Sequence, residues 1–287
     1  ERIHQLENIR NIFFRSTRHP VFSANGERIV YLTTQEDAEL YVWETRSGRQ
    51  ISKLSIDFRA DRSGRAYTVS PDGKLIVTLE GFHLQTVWDF ENSAEIVDLG
   101  QVPRTLTYPY RYVRFSSDGR KLARAIAAPD DQADANNFQV EVSCVATGRV
   151  TLTHRATDFR SFTFAGDGVR LAVAEQDGIV VLNHQTGKQL TTIGGRQSAF
   201  TDVAFNQSGD ILCALSADHG RVTLWDTNTS AKLATFQTQH LDLTRVAISP
   251  HARWLAVVTS NGNVQLWHLA EARKQLRQVG LDWSHQD

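Results

Sequence analysis

Apolar and polar positions along this chain alternate in short runs separated by polar turns. Residues 67–90, YTVSPDGKLIVTLEGFHLQTVWDF, show the unit: a β-like run, a Pro-Asp-Gly turn, a second run, and a third ending in Trp-Asp. A period of two over short stretches bounded by Gly, Pro and Asp predicts half-buried strands. Pro-Asp-Gly and Asp-Gly supply the turn, with Gly tolerating positive φ where two strands reverse.

The unit recurs. Six segments share a β-run, a polar turn and a second β-run: VFSANGERIVYL, YTVSPDGKLIVTL, VRFSSDGRKLARA, FTFAGDGVRLAVA, VAFNQSGDILCAL and VAISPHARWLAVV. The turn residue is Gly26, Gly73, Gly119, Gly168, Gly209 and then Ala252, at spacings of 41 to 49 residues. A third run follows, ending at Trp43, Trp88, Trp225 or Trp267 in four repeats and passing through Ser143 or Leu182 in the other two. Fourth runs come after the next turn, as in RQISKL, AEIVDL, RVTLTH, KQLTTI and AKLATF. Four strands per unit at this period predict an all-β fold, a β-propeller of six four-stranded blades, with seven as the alternative. A single such sheet is apolar on both faces and must stack against its neighbours.

The period, the Ser-Pro-Asp-Gly-like turns and the terminal Trp-Asp resemble the WD40-repeat family over residues 15–269. The match departs in detail. Trp-Asp itself occurs only at Trp88-Asp89 and Trp225-Asp226, and the family's Gly-His dipeptide is absent, with His240 its nearest remnant. The family's hydrogen-bonded polar tetrad is therefore expected only in part, at Asp218 with Trp225 and at Asn261 with Trp267. The resemblance also implies a ring closed by an N-terminal strand. RNIFFRS, residues 10–16, suits that role, and the last repeat lacks an obvious fourth run after Trp267. Residues 1–14 are read as connector and closing strand, and residues 270–287 as a helix-like tail. Leu269, Ala272, Leu276 and Val279 share one helical face there, and Gly280 stands where a C-cap would. Such a tail resembles the end of large bacterial WD40 proteins, whose propeller follows other domains such as a kinase. ERIHQLENIR has helical spacing and reads as a connector from such a domain, or as a helix capping the ring.

Composition narrows the function. A formal charge of −1 and a pI near 6.9 supply no global field for nucleic acid or an anionic membrane. No apolar run has the length to cross a bilayer, and Ile12-Phe13-Phe14 is too short for a signal peptide, so a cytoplasmic protein is expected. Cys144 and Cys213 each lie in an apolar run and read as small buried hydrophobes. There is no methionine and the chain starts at Glu1, which fits a piece of a longer one.

No nucleophile elbow, P-loop, HExxH, paired Cys-x-x-Cys or dinucleotide fingerprint is present, and the ten histidines are scattered. No catalytic residue, cofactor or metal is expected. One column stands out. Five residues before the Ser at each turn (Ser23, Ser70, Ser116, Ala165, Asn206, Ser249) stand Arg18, Arg65, Arg111, Arg160, Thr201 and Thr244. Repeat symmetry gathers such a column around one axis, and the WD40 resemblance puts it on the top face, at the channel mouth. Arginine suits bidentate recognition of carboxylate or phosphate. Arg104, Tyr108, Tyr110, Tyr112 and Arg245 add to the same face, and Tyr with Arg is a hot-spot composition. The opposing reading is neutralisation from within, by the acidic loop carrying Asp130, Asp131 and Asp134, or by Asp158 and Asp202. The leading expectation is a non-catalytic module presenting Arg18, Arg65, Arg111, Arg160, Tyr110, Tyr112 and Arg245 to an acidic protein or peptide, or to its own upstream domain. Six-bladed sialidase-like hydrolases, with an arginine cluster beside a tyrosine, are the runner-up, and a structural spacer is the third reading.

Overall fold

The computed structural model describes residues 21–23, 25–32, 38–56, 66–80, 84–89, 92, 94–98, 113–127, 138–195, 199–216, 220–238, 243–260 and 262–278. These form six sheets, each built from strands consecutive in the chain. The first holds β1 (Val21–Phe22), β2 (Arg28–Leu32), β3 (Ala38–Glu44) and β4 (Gln50–Ile56). The second holds β5 (Ala66–Val69), β6 (Leu75–Glu80), β7 (Leu84–Asp89) and β8 (Ala94–Asp98), and the third β9 (Val113–Phe115), β10 (Lys121–Ala127), β11 (Phe138–Cys144) and β12 (Val150–Ala156). The fourth holds β13 (Ser161–Phe164), β14 (Arg170–Glu175), β15 (Gly178–Asn183) and β16 (Gln189–Ile193). The fifth holds β17 (Phe200–Phe205), β18 (Ile211–Ser216), β19 (Arg221–Asp226) and β20 (Lys232–Gln237). The sixth has three strands, β21 (Leu243–Ile248), β22 (Trp254–Thr259) and β23 (Val264–His268), and runs into α1 (Leu269–Gln278). By their contacts the residues divide into two compact units: Glu1–Pro129 with Glu141–Thr151, and Asp130–Val140 with Leu152–Asp287.

An all-β chain of six antiparallel sheets with three or four strands each is consistent with a β-propeller. Residues 10–16, the expected closing strand, lie outside the described residues, as do Val279 and Gly280. No helix among the described residues is long and apolar enough to cross a membrane.

Apolar runs form strands here because both sheet faces are covered. In β18, Ile211, Cys213 and Leu215 point into the cluster shared with β21 and β22, where Val246, Leu255 and Val257 meet them. Leu212 and Ala214 point the other way, to Ala172, Ala174, Ile179 and Val181 of the fourth sheet. In the first unit Val30, Leu40 and Val42 pack on Ile76, and Val77 and Val87 pack on Val113, Phe115 and Leu122. Burying one such side chain stabilises by about 1.5–3 kcal/mol.

The turn serine has a specific task. Ser70 Oγ donates to Asp72 Oδ1 at 2.6 Å and accepts from Leu75 N–H at 2.9 Å, while Gly73 takes φ 70°. Ser116 repeats this with Asp118 and Lys121, and Asn206 takes over by accepting from Ile211 N–H at 3.1 Å. A Cβ on Gly73 would also sit 2.9 Å from Ser23 Cβ in the neighbouring sheet. Glycine thus serves both conformation and packing there. In the sixth repeat Ala252 accepts the left-handed conformation instead, φ 49°.

One hydrogen bond recurs after the third strand of five sheets: the N–H groups of Thr45, Val145, His184, Thr227 and Leu269 donate to Glu27, Arg120, Val169, Asp210 and Arg253 C=O. After the first four of these the chain turns back into a fourth strand. After Leu269, which is buried, it enters α1. The helix therefore begins where a fourth strand would have been approached.

Candidate functional site

Of the residues singled out in sequence, Arg160, Thr201, Thr244 and Arg245 lie in described parts of the chain, all in the second unit. Arg18, Arg65, Arg111, Tyr110 and Tyr112 lie outside the described residues, as do Arg104, Tyr108 and Asp130, Asp131 and Asp134 of the acidic loop. Arg160, Thr201 and Thr244 face equivalent positions of their second strands. Arg160 N–H donates to Ala174 C=O at 2.9 Å, Thr201 Oγ1 to Leu215 C=O at 3.4 Å, and Thr244 Oγ1 to Val258 C=O at 3.1 Å. Ala174, Leu215 and Val258 are themselves equivalent positions of β14, β18 and β22. Thr201 and Thr244 stand at shifts of register in β17 and β21, and such bulges re-aim the side chains around them.

Beneath these residues lies Asp202, only 2% exposed. Its Oδ1 accepts from Ser161 Oγ at 2.9 Å and its Oδ2 from Val246 N–H at 3.0 Å. One carboxylate thereby ties the first strands of three consecutive sheets, β13, β17 and β21. The residues that immediately precede its partners and itself are Arg160, Thr201 and Arg245. Two exposed arginines and a threonine are thus gathered at one end of three neighbouring strands. Burial and the nearby charge of Asp202 push the Cys213 thiol up, so that it stays neutral.

Of the two acids expected to neutralise this region, Asp158 does so for Arg160. Its carboxylate accepts a hydrogen bond from the guanidinium. Asp202 does not; its two hydrogen bonds run to Ser161 and Val246. Arg245 Nη1 donates to Thr244 C=O at 2.8 Å. In the expected tetrads, Asp218 and Asn261 lie outside the described residues. Trp225 Nε1 is buried with no hydrogen-bond partner among the described residues, and Trp267 packs against Phe236 at 5.7 Å. The part of Asp202 as a tie between sheets was not apparent from sequence. Its only signal was a lone acid inside the apolar run FTDVAF.

Comparison with known proteins agrees with the repeat pattern. The WD40 family model, WD domain, G-beta repeat, matches residues 187–226 and 231–268, well under half of the chain. Both matches end on a third strand, at Trp225-Asp226 and Trp267-His268. The chain is 24% identical over 259 residues to Autophagy-related protein 16 of Arabidopsis thaliana, across 88% of this chain and 47% of that protein. It is 26% identical over 231 residues to the Periodic tryptophan protein 2 homolog of Mus musculus, across 80% of this chain and 24% of that protein. The chain therefore spans about half of one curated relative and about a quarter of the other. Among solved structures, the β-propeller domain of Cps50 (Swd1) from Myceliophteria thermophila superposes with a TM-score of 0.65 over 87% of this chain and 82% of that one, at 11% identity. The chain thus carries WD40 repeats and has β-propeller structural neighbours. WD40 propellers generally mediate protein interactions and are typically non-enzymatic scaffolds. The two relatives come from a plant and a mouse and lend nothing to the bacterial origin expected from sequence.

Proposed function

We propose that this chain is a non-catalytic interaction module that offers the arginine-bearing ends of its first strands to an acidic protein or peptide segment. The observation that carries this reading is the set of Arg160, Thr201 and Arg245 gathered around buried Asp202. Loops and strand ends on a rigid scaffold are favoured binding positions, and arginine recognises carboxylates in a fork geometry. Arg18, Arg65, Arg111, Tyr110 and Tyr112 are part of this reading by their positions in the sequence repeats and in the run preceding the third repeat. The partner belongs to the same cytoplasmic compartment and includes, as one option, a domain upstream in a longer bacterial chain. Six blades, closed by residues 10–16 as the fourth strand of the sixth sheet, complete the reading.

The test is isothermal titration with a glutamate-rich peptide at low and high salt. The parent is expected to bind in a salt-sensitive manner, and an Arg160→Ala/Arg245→Ala double variant to bind about ten-fold more weakly or worse, as expected when two charge-assisted contacts are lost. Undiminished binding by the double variant would sink the proposal.

A further inference from the structure

Phe159 is buried and packs its ring against Phe138 and Phe162, at centroid distances of 5.3 and 5.9 Å. Its two chain neighbours are therefore turned away from the core together, on the same side. One is Arg160; the other is Asp158, whose backbone is left-handed at φ 48° and whose carboxylate holds the Arg160 guanidinium. The segment has little freedom, because Gln176 N–H donates to Thr157 C=O and Arg160 N–H to Ala174 C=O, both at 2.9 Å. A side chain at positive φ is uncommon, and Asp and Asn tolerate it best. The fold thus holds a carboxylate on the arginine by backbone geometry, independently of any partner.

We propose that Asp158 is a built-in stand-in for the partner's carboxylate: it occupies Arg160 in the free protein and is displaced when an acidic segment binds. This rests on the reading of Arg160 as a partner-binding residue. Both side chains remain open to solvent, 45% for Arg160 and 29% for Asp158, so an incoming carboxylate can reach the guanidinium. An exposed ion pair of this kind is weak enough to be exchanged. It also screens Arg160 against anions that offer a single carboxylate no better placed than that of Asp158. Selection then falls on segments with several acidic groups, which engage Arg245 as well.

The experiment uses the whole chain and a fluorescent hexaglutamate peptide, titrated by anisotropy at low ionic strength. Asp158→Asn keeps a residue that suits the left-handed backbone and removes only the charge. Asp158→Gly removes the side chain and fits the same φ. Both are expected to bind the peptide about two- to five-fold more tightly than the parent, the range set by an exposed ion pair. The gain should vanish when Arg160→Ala is added. Equal affinities of the parent and Asp158→Asn, with Arg160→Ala alone weaker, would overturn the stand-in and leave the binding surface standing. Arg160→Ala binding as tightly as the parent, or no binding by any variant, would overturn both. A gain seen with glycine alone would assign the effect to backbone freedom and overturn the proposal as well.

Discussion

Asp202 shows how much one side chain can organise when its hydrogen bonds leave its own sheet. Its carboxylate is out of water and meets a hydroxyl and an amide, each on a different neighbouring strand. Asp202→Ala removes both acceptors and leaves Val246 N–H and Ser161 Oγ without them. A loss of about 2–6 kcal/mol is expected, from two buried donors at about 1–3 kcal/mol each. Urea denaturation measures it, and Ser161→Ala should cost less because the amide keeps its partner. The two thiols make a second residue-scale case. Hydrogen bonding from Thr147 lowers the Cys144 thiol and the side chain is half-buried, whereas burial raises that of fully buried Cys213. The thiolate is the reactive form. A disulfide reagent at mildly alkaline pH should therefore modify Cys144 in the native protein and Cys213 only after unfolding. Rapid native labelling at Cys213, read by mass spectrometry, would contradict this.

At the scale of elements, sequence and structure agree where the information is local. The turn residues, the paired runs and the third strands were all legible, because each depends on neighbours within a few positions. Runs such as ILCALS read as strands buried on both faces, and β18 serves two clusters at once. The sixth sheet shows where legibility stopped. The absence of a fourth run after Trp267 was visible, and the sixth sheet has three strands among the described residues; a strand from far away in the chain is something local pattern does not specify. The edge of β23 carries Val264 and Leu266, both 60% exposed. An apolar edge strand of that kind is an aggregation liability unless another strand covers it. If a further strand pairs there, the β23 amides that point away from β22 will be protected from hydrogen exchange. Exchange of those amides at rates typical of open chain would exclude closure by any strand. Of the candidate site, Asp158 was legible as an acid able to neutralise an arginine, and it pairs with Arg160, while the tie through Asp202 was not legible. That tie depends on which way a side chain turns, and register shifts in β17 and β21 help to decide it.

For the molecule as a whole, division into two compact units predicts that unfolding is not a single step. Repeat folds stabilise each sheet mainly through its immediate neighbours, so cooperativity decays along the array. Scanning calorimetry should give a calorimetric enthalpy larger than the van't Hoff enthalpy, and equality of the two would show one cooperative block. The helix that succeeds β23 has a practical meaning for anyone who handles this protein. Its ten residues rise about 15 Å at 1.5 Å each, and its first residue is anchored in the core. A fluorophore attached at Gln278 would therefore sit at the far end of the helix from that anchor and share the rotation of the sixth sheet, a stiff reporter arm supplied by the chain itself.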